Sequence, residues 1–195
     1  MTAQTSSFND GRMEAGMGRL ARRGLVLVTV IGLLGVGSYA IAGDGTKNFK
    51  GKDMTGYEEN PDVSTVATGS FEARLSKDGT KLEYELDYSG LEGTVTQAHI
   101  HFGKRAVNGG VSIWLCESAT NQSPSSTTPT CPQSGTVTGE VDATHVVGPA
   151  GQGIGPGELQ EILAAMRAGH AYANVHSSKF GGGEIRAQLN DREDD

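Results

Sequence analysis

The sequence predicts an all-β protein, an antiparallel β-sandwich or Greek-key barrel with one short crossover helix. Three observations lead there. Short runs of alternating apolar and polar residues recur along the chain, about eight of them, each bounded by turn residues. The 195 residues include 29 glycines, which suits many tight turns. Only one stretch outside the N-terminus, Gly157 to Ala168, repeats apolar residues at helical spacing. The length fits one well-cored domain and is short for two.

Residues 1–42 stand apart from that domain. Met1 to Gly18 is polar and glycine-rich. Arg19, Arg22 and Arg23 then precede Leu25 to Ala42, a run without a charged residue that ends in Ala40-Ile41-Ala42. Basic residues, an apolar core and a small-x-small end read as an export signal, with cleavage expected after Ala42. The alternative is an uncleaved membrane anchor through residues 25–42. In both readings the arginines stay inside and the rest of the chain is exported. Of 16 basic and 23 acidic side chains, four and two precede Gly43, so the remainder carries a net charge of −9. That balance argues against nucleic acid and anionic membrane surfaces as partners.

Residues 43–53 read as a polar linker, and Met54 to Pro61 as a short first strand. Phe71, Ala73 and Leu75 alternate with Glu72 and Arg74. After the turn Ser76-Lys77-Asp78-Gly79, Leu82, Tyr84, Leu86 and Tyr88 alternate with Glu83, Glu85 and Asp87. These two runs form an antiparallel hairpin with one wet face. Val111 to Cys116 places Val111, Ile113 and Leu115 on one face and Trp114 on the other. Cys116 and Cys131 flank a Ser/Thr/Pro-rich loop, and an even count in an oxidising compartment reads as one disulfide. Gly135 to Val141 is a further strand. In the helical stretch, Leu159, Ile162, Leu163 and Met166 make the apolar stripe, with acids near its start and Arg167 near its end. Ala171 to Ser177 and Glu184 to Leu189 close the domain. Pairing Val175 with Ile185 keeps both apolar sets inward, and it sets Asn174 opposite Arg186 and His176 opposite Glu184. Residues 191–195 form an acidic tail.

The chemistry centres on His99 and His101, with Ala98, Ile100 and Phe102 at the alternate positions. In a strand the apolar set enters the core while both imidazoles leave on the other, wet face, about 7 Å apart along the strand. His176, turned outward by its own register, can complete a three-histidine site. Neutral imidazole suits copper or zinc. Glu184 is placed to orient His176 through its second ring nitrogen. The competing reading is three exposed histidines that bind nothing. His145 and His170 read as structural or solvated.

The segments MTGYEENP, TQAHIHFG, NGGVSIWLC, GTVTGE, GPAGQGI, GELQEILAAMRAG, AYANVHS and GGEIRAQL, in that order, resemble the CHRD domain, the module named after chordin. The resemblance runs from about Met54 to Asn190. It implies an extracellular β-sandwich, usually a single exported domain in bacteria. In chordin the domain lies beside the modules credited with growth-factor binding. The pattern includes positions matching His99, His101 and His176, and Ala187 stands where the family usually has glycine. The shorter piece His99-Ile100-His101-Phe102-Gly103 is also similar to the copper strand of copper-zinc superoxide dismutases, so the sandwich is expected to be superoxide-dismutase-like.

Enzyme readings find little support in the residues. Neither a GxSxG elbow nor a usable phosphate loop is present. A dismutase using both copper and zinc needs further histidines and an aspartate between His101 and His176; the histidines there are His145 and His170, and neither clusters with the right partners. The expectation is therefore a non-catalytic extracytoplasmic binding module with a candidate copper or zinc site. The alternatives are a cell-surface protein-interaction module without metal, using the Lys104-Arg105 loop or the disulfide loop, and a copper-only dismutase-like enzyme.

Overall fold

Alternation along the chain becomes eight strands. The computed structural model describes residues 48–190. In chain order the strands are β1 Asn48–Thr55, β2 Thr68–Leu75, β3 Lys81–Ser89, β4 Val95–Phe102, β5 Gly110–Cys116, β6 Gly135–Asp142, β7 Ala171–Ser177 and β8 Ile185–Leu189. One α-helix, α1 Leu159–Arg167, lies between β6 and β7. The strands pair antiparallel in the order β5-β4-β7-β8-β1-β2-β3-β6.

That order folds one sheet into two facing halves. β5, β4, β7 and β8 make one half; β1, β2, β3 and β6 make the other. The halves join where Thr55 meets Arg186 and where Lys50 bridges Asn190. Three connections cross between halves: β3 to β4, β5 to β6, and β6 to β7 through α1. The result is a nearly closed barrel with one core. Phe49, Phe71, Leu82 and Leu86 enter it from one half, and Ile100, Ile113, Leu115, Val175 and Ile185 from the other, all fully buried. On the open side two tyrosines of β3 reach across. Tyr84 Oη donates to the Leu115 carbonyl at 2.6 Å, and Tyr88 Oη donates to the Pro132 carbonyl at 2.7 Å. Burial pushes both phenols above their ordinary pKa, so they stay protonated donors.

The expected hairpin is present. Phe71 faces Leu86, Ala73 faces Tyr84 and Leu75 faces Leu82 on the inner side, while Glu72, Glu83 and Glu85 remain exposed. In α1, Leu159, Ile162, Leu163 and Met166 are buried, as their spacing requires. The β7–β8 register is also as expected, with Val175 opposite Ile185 and Asn174 opposite Arg186.

The start of the domain differs from expectation. β1 begins at Asn48, within the segment read as linker, and ends before Gly56–Glu58, a 3-10 turn rather than a strand. The cause is a bulge between Gly51 and Met54, with Asp53 at a φ of 55°. A bulge inserts an extra residue and breaks the two-residue period. Phe49 and Met54 are both buried, yet their odd separation hides the pattern.

The expected signal or anchor (1–42) and the acidic tail (191–195) lie outside the described residues. Among the described residues no helix is long and apolar enough to cross a membrane.

Cys116 and Cys131 are bonded. Closing a loop with a sequence separation of 15 contributes about 3 kcal/mol in the chain-entropy model. A Cys116→Ser/Cys131→Ser variant is expected to lose roughly that stability in urea denaturation. An unchanged midpoint and slope would show that the bridge does not constrain the unfolded chain.

Candidate metal centre

The site is built on two adjacent strands. β4 pairs with β7 so that Gln97 faces His176, His99 faces Asn174 and His101 faces Tyr172. His99 and His101 leave the core face because Ala98 and Ile100 occupy it. His176 leaves it because Ala173 and Val175 do. The three rings therefore converge, with centroids 5.0 Å apart for His99–His176, 5.3 Å for His99–His101 and 5.9 Å for His101–His176. One nitrogen from each lies within 4.8 Å of the others. Two donors held at about 2.1 Å from one ion stand at most about 4.2 Å apart, so the nitrogens are close enough to share an ion once they draw slightly together.

The face is not wet, contrary to the sequence expectation. His99, His101 and His176 are only 2%, 8% and 5% exposed. The loops that follow β4 and β7 fold back over them. The β4–β5 loop supplies the Gly109 carbonyl, which accepts from His101 Nδ1 at 3.0 Å. The β7–β8 loop supplies the Gly181 carbonyl, which accepts from His176 Nδ1 at 3.1 Å.

These carbonyls fix the tautomers. A carbonyl only accepts, so both Nδ1 atoms carry the proton and both Nε2 atoms carry a lone pair. His176 Nε2 faces His99 Nδ1 at 3.2 Å. With no ion, His99 donates there, and its own Nε2 is left bare. His99 Nε2 and His101 Nε2 are both buried without a partner. Each such nitrogen costs about 1–3 kcal/mol. An ion accepting the lone pairs of the cluster relieves that deficit.

Burial also keeps the rings neutral, the form that ligates metal. Loss of solvation lowers the His99 pKa to about 2, with further repulsion from His176 and His101. The same burial lowers His101 and His176 to about 4 each.

Five further residues surround the cluster. Trp114 of β5 sets its ring edgewise to His99 at 4.3 Å. Tyr172 of β7 stacks flat on His101, 4.8 Å away and 2° from parallel. The Arg186 guanidinium lies 3.3 Å over the Tyr172 ring, with only 1% of the residue exposed. Asn174 Nδ2 donates to Glu59 and to the Ile185 carbonyl. Burial raises the Glu59 pKa to about 7, against the pull of Arg186 and the Asn174 hydrogen bond. Strand parity could have pointed to Tyr172 and Asn174, which share the His176 face, and to Arg186 opposite Asn174. Glu59 gives no such signal, because it arrives from 115 residues away in sequence.

Glu184 does not orient His176. Its carboxylate accepts from Ser177 Oγ at 2.5 Å, Thr65 Oγ1 at 2.9 Å and the Glu92 amide at 2.8 Å. It precedes β8, after Gly183 at a φ of 131°, and this turn directs it to the end of the barrel. There it ties three loops together. Gly181 takes the role expected of it. His145 sits in a capping turn with Asp142 and meets Thr127 Oγ1 at 2.7 Å. His170 is exposed beyond α1. Neither joins the cluster.

The protein-family model described as the CHRD domain matches residues 51–189, from within β1 to the end of β8. The chain belongs to the CHRD family. No curated protein and no solved structure matches it. The match takes in all eight strands of the CHRD fold, the bonded cysteines and the histidine cluster, and it begins slightly before the Met54 at which the resemblance in sequence starts.

Proposed function

We propose that this CHRD protein is a non-catalytic extracytoplasmic binding module that holds a copper or zinc ion on His99, His101 and His176. One observation carries the reading: three neutral imidazoles converge in a buried space, and two ring nitrogens there have no partner. A protein with no use for the cluster gains nothing by burying it, since each bare nitrogen lowers stability. The burial of all three side chains favours holding an ion over turning over a substrate at it, because catalytic metal sites keep an open position. The bonded cysteines and the apolar run at 25–42 support an exported location.

Calorimetric titration of the purified protein with copper and with zinc tests this. One equivalent is expected to bind. The His99→Ala/His101→Ala variant is expected to lose at least a hundredfold in affinity, while His170→Ala stays unchanged. Failure of the wild-type protein to bind either ion, or equal binding by the double variant, overturns the reading and returns the domain to a metal-free interaction module.

A further inference from the structure

We infer that the cluster selects a monovalent ion, Cu(I), over Cu(II) and Zn(II). This rests on the metal-site reading above and specifies its ligand. Imidazole is not a soft donor, so the selection comes from charge and ligand number rather than from softness.

The donor set is wholly neutral. Among the described residues the metal-ligand cluster contains His99, His101 and His176 and no carboxylate or thiolate. The two buried acids nearby are engaged elsewhere: Glu184 with Ser177, Thr65 and the Glu92 amide, Glu59 with Asn174. Removing an ion from water costs energy in proportion to the square of its charge. A dication buried here pays about four times what a monocation pays, with no anionic ligand to offset it.

A fixed positive charge adds to the discrimination. Arg186 is buried with Nη1 unpaired, and it reaches His101 through the ring of Tyr172 between them. Its field opposes a metal charge at the cluster, twice as strongly for a dication.

Geometry agrees. The chain presents three nitrogens, and the rings of Trp114 and Tyr172 occupy the space beside two of the imidazoles. Cu(I) accepts three-coordination. Zn(II) prefers four ligands in a tetrahedron and Cu(II) a tetragonal set, so each needs a further ligand brought from solvent.

The test measures three affinities of the full-length protein. Cu(I) is supplied anaerobically with ascorbate, in competition with a chromophoric Cu(I) chelator. Cu(II) and Zn(II) are supplied in competing chelator buffers. Cu(I) is expected to bind at least a hundredfold tighter than Zn(II) and tighter than Cu(II). The bound couple then has a reduction potential above that of aqueous copper. Zn(II) or Cu(II) binding as tightly as Cu(I) overturns this inference and leaves the metal site standing. Binding of none of the three overturns both. Arg186→Gln is expected to narrow the Cu(I) preference over Zn(II) about tenfold, and Arg186→Lys to retain it. If Arg186→Gln does not fold, the comparison of the three ions on the wild-type protein still decides.

Discussion

Gly109→Ala is expected to unfold or severely loosen the half of the domain that carries the histidine cluster. A Cβ placed on Gly109 would lie 1.7 Å from the Phe102 carbonyl oxygen and 2.5 Å from its carbon. Both are backbone atoms at the end of β4 and cannot rotate away. The β4–β5 loop must lift, and two contacts go with it. The Gly109 carbonyl anchors His101 Nδ1, and the Gly109 amide donates to Tyr172 Oη at 3.1 Å. Losing both, with the strain of the displaced loop, is expected to cost roughly 3 kcal/mol or more. Gly181 provides a matched control. It also offers a carbonyl to a histidine, but a Cβ there meets nothing within 4 Å. Gly181→Ala is expected to change stability by less than about 0.5 kcal/mol. Denaturant midpoints of the two variants, with metal affinities alongside, check the contrast. Equal midpoints would mean that the loop over His101 yields freely.

Acid is expected to destabilise the metal-free protein steeply between pH 6.5 and about 4. An unfolded histidine takes up a proton near pH 6.5. Folded His101 and His176 accept one only near pH 4, and His99 lower still, because burial resists the charge. Each folded pKa is depressed, so the unfolded chain holds more protons in this window. The stability is fully present above pH 6.5 and drains away as pH falls. At about 1.4 kcal/mol per pKa unit, the three rings together remove several kcal/mol, a large part of the 5–15 kcal/mol typical of a domain. Glu59 acts in the opposite sense. Its folded pKa is raised from 4.5 to about 7, so its contribution is present at low pH and lost as pH rises through 7. One proton does not offset three, and the net slope still favours neutral pH. Thermal melts at pH 7.0, 5.5 and 4.5 measure this. The His99→Ala/His101→Ala variant should flatten the dependence. A wild-type melting point constant across that range would show that the rings protonate freely in the fold.

The parts of this structure that repeat every two residues were legible in the sequence, and the parts held by irregular loops were not. β3 places Leu82, Leu86 and Tyr88 inward with hardly an interruption, so its face follows from alternation alone. The β7–β8 pairing follows from two apolar sets that must share a face, and Val175 does oppose Ile185. The same logic brought His99, His101 and His176 together. What periodicity does not carry is what lies above a polar face. Glu59, Gly109 and Gly181 come from loops without regular pattern, and they turn an expected exposed surface into an interior. Glu184 shows a related limit. It sits one residue outside β8, where the backbone has already turned, so strand parity no longer tells where its carboxylate goes. β1 was obscured by a single inserted residue, which moved its second buried side chain off the expected period.

The open side of the barrel bears on how copies of this chain meet one another. The outer edge of β5 is already occupied: Ile113 bridges Val146, the Val147 amide donates to the Ser112 carbonyl, and Glu117 exchanges hydrogen bonds with Pro129 and Cys131. An extended segment from a second molecule finds few unpaired amides or carbonyls along that strand. The Val146–Val147 segment along β5, with the covalent loop just beyond Cys116, therefore acts as a plug against strand-by-strand polymerisation, a protection that matters most where a protein is crowded and beyond the reach of chaperones.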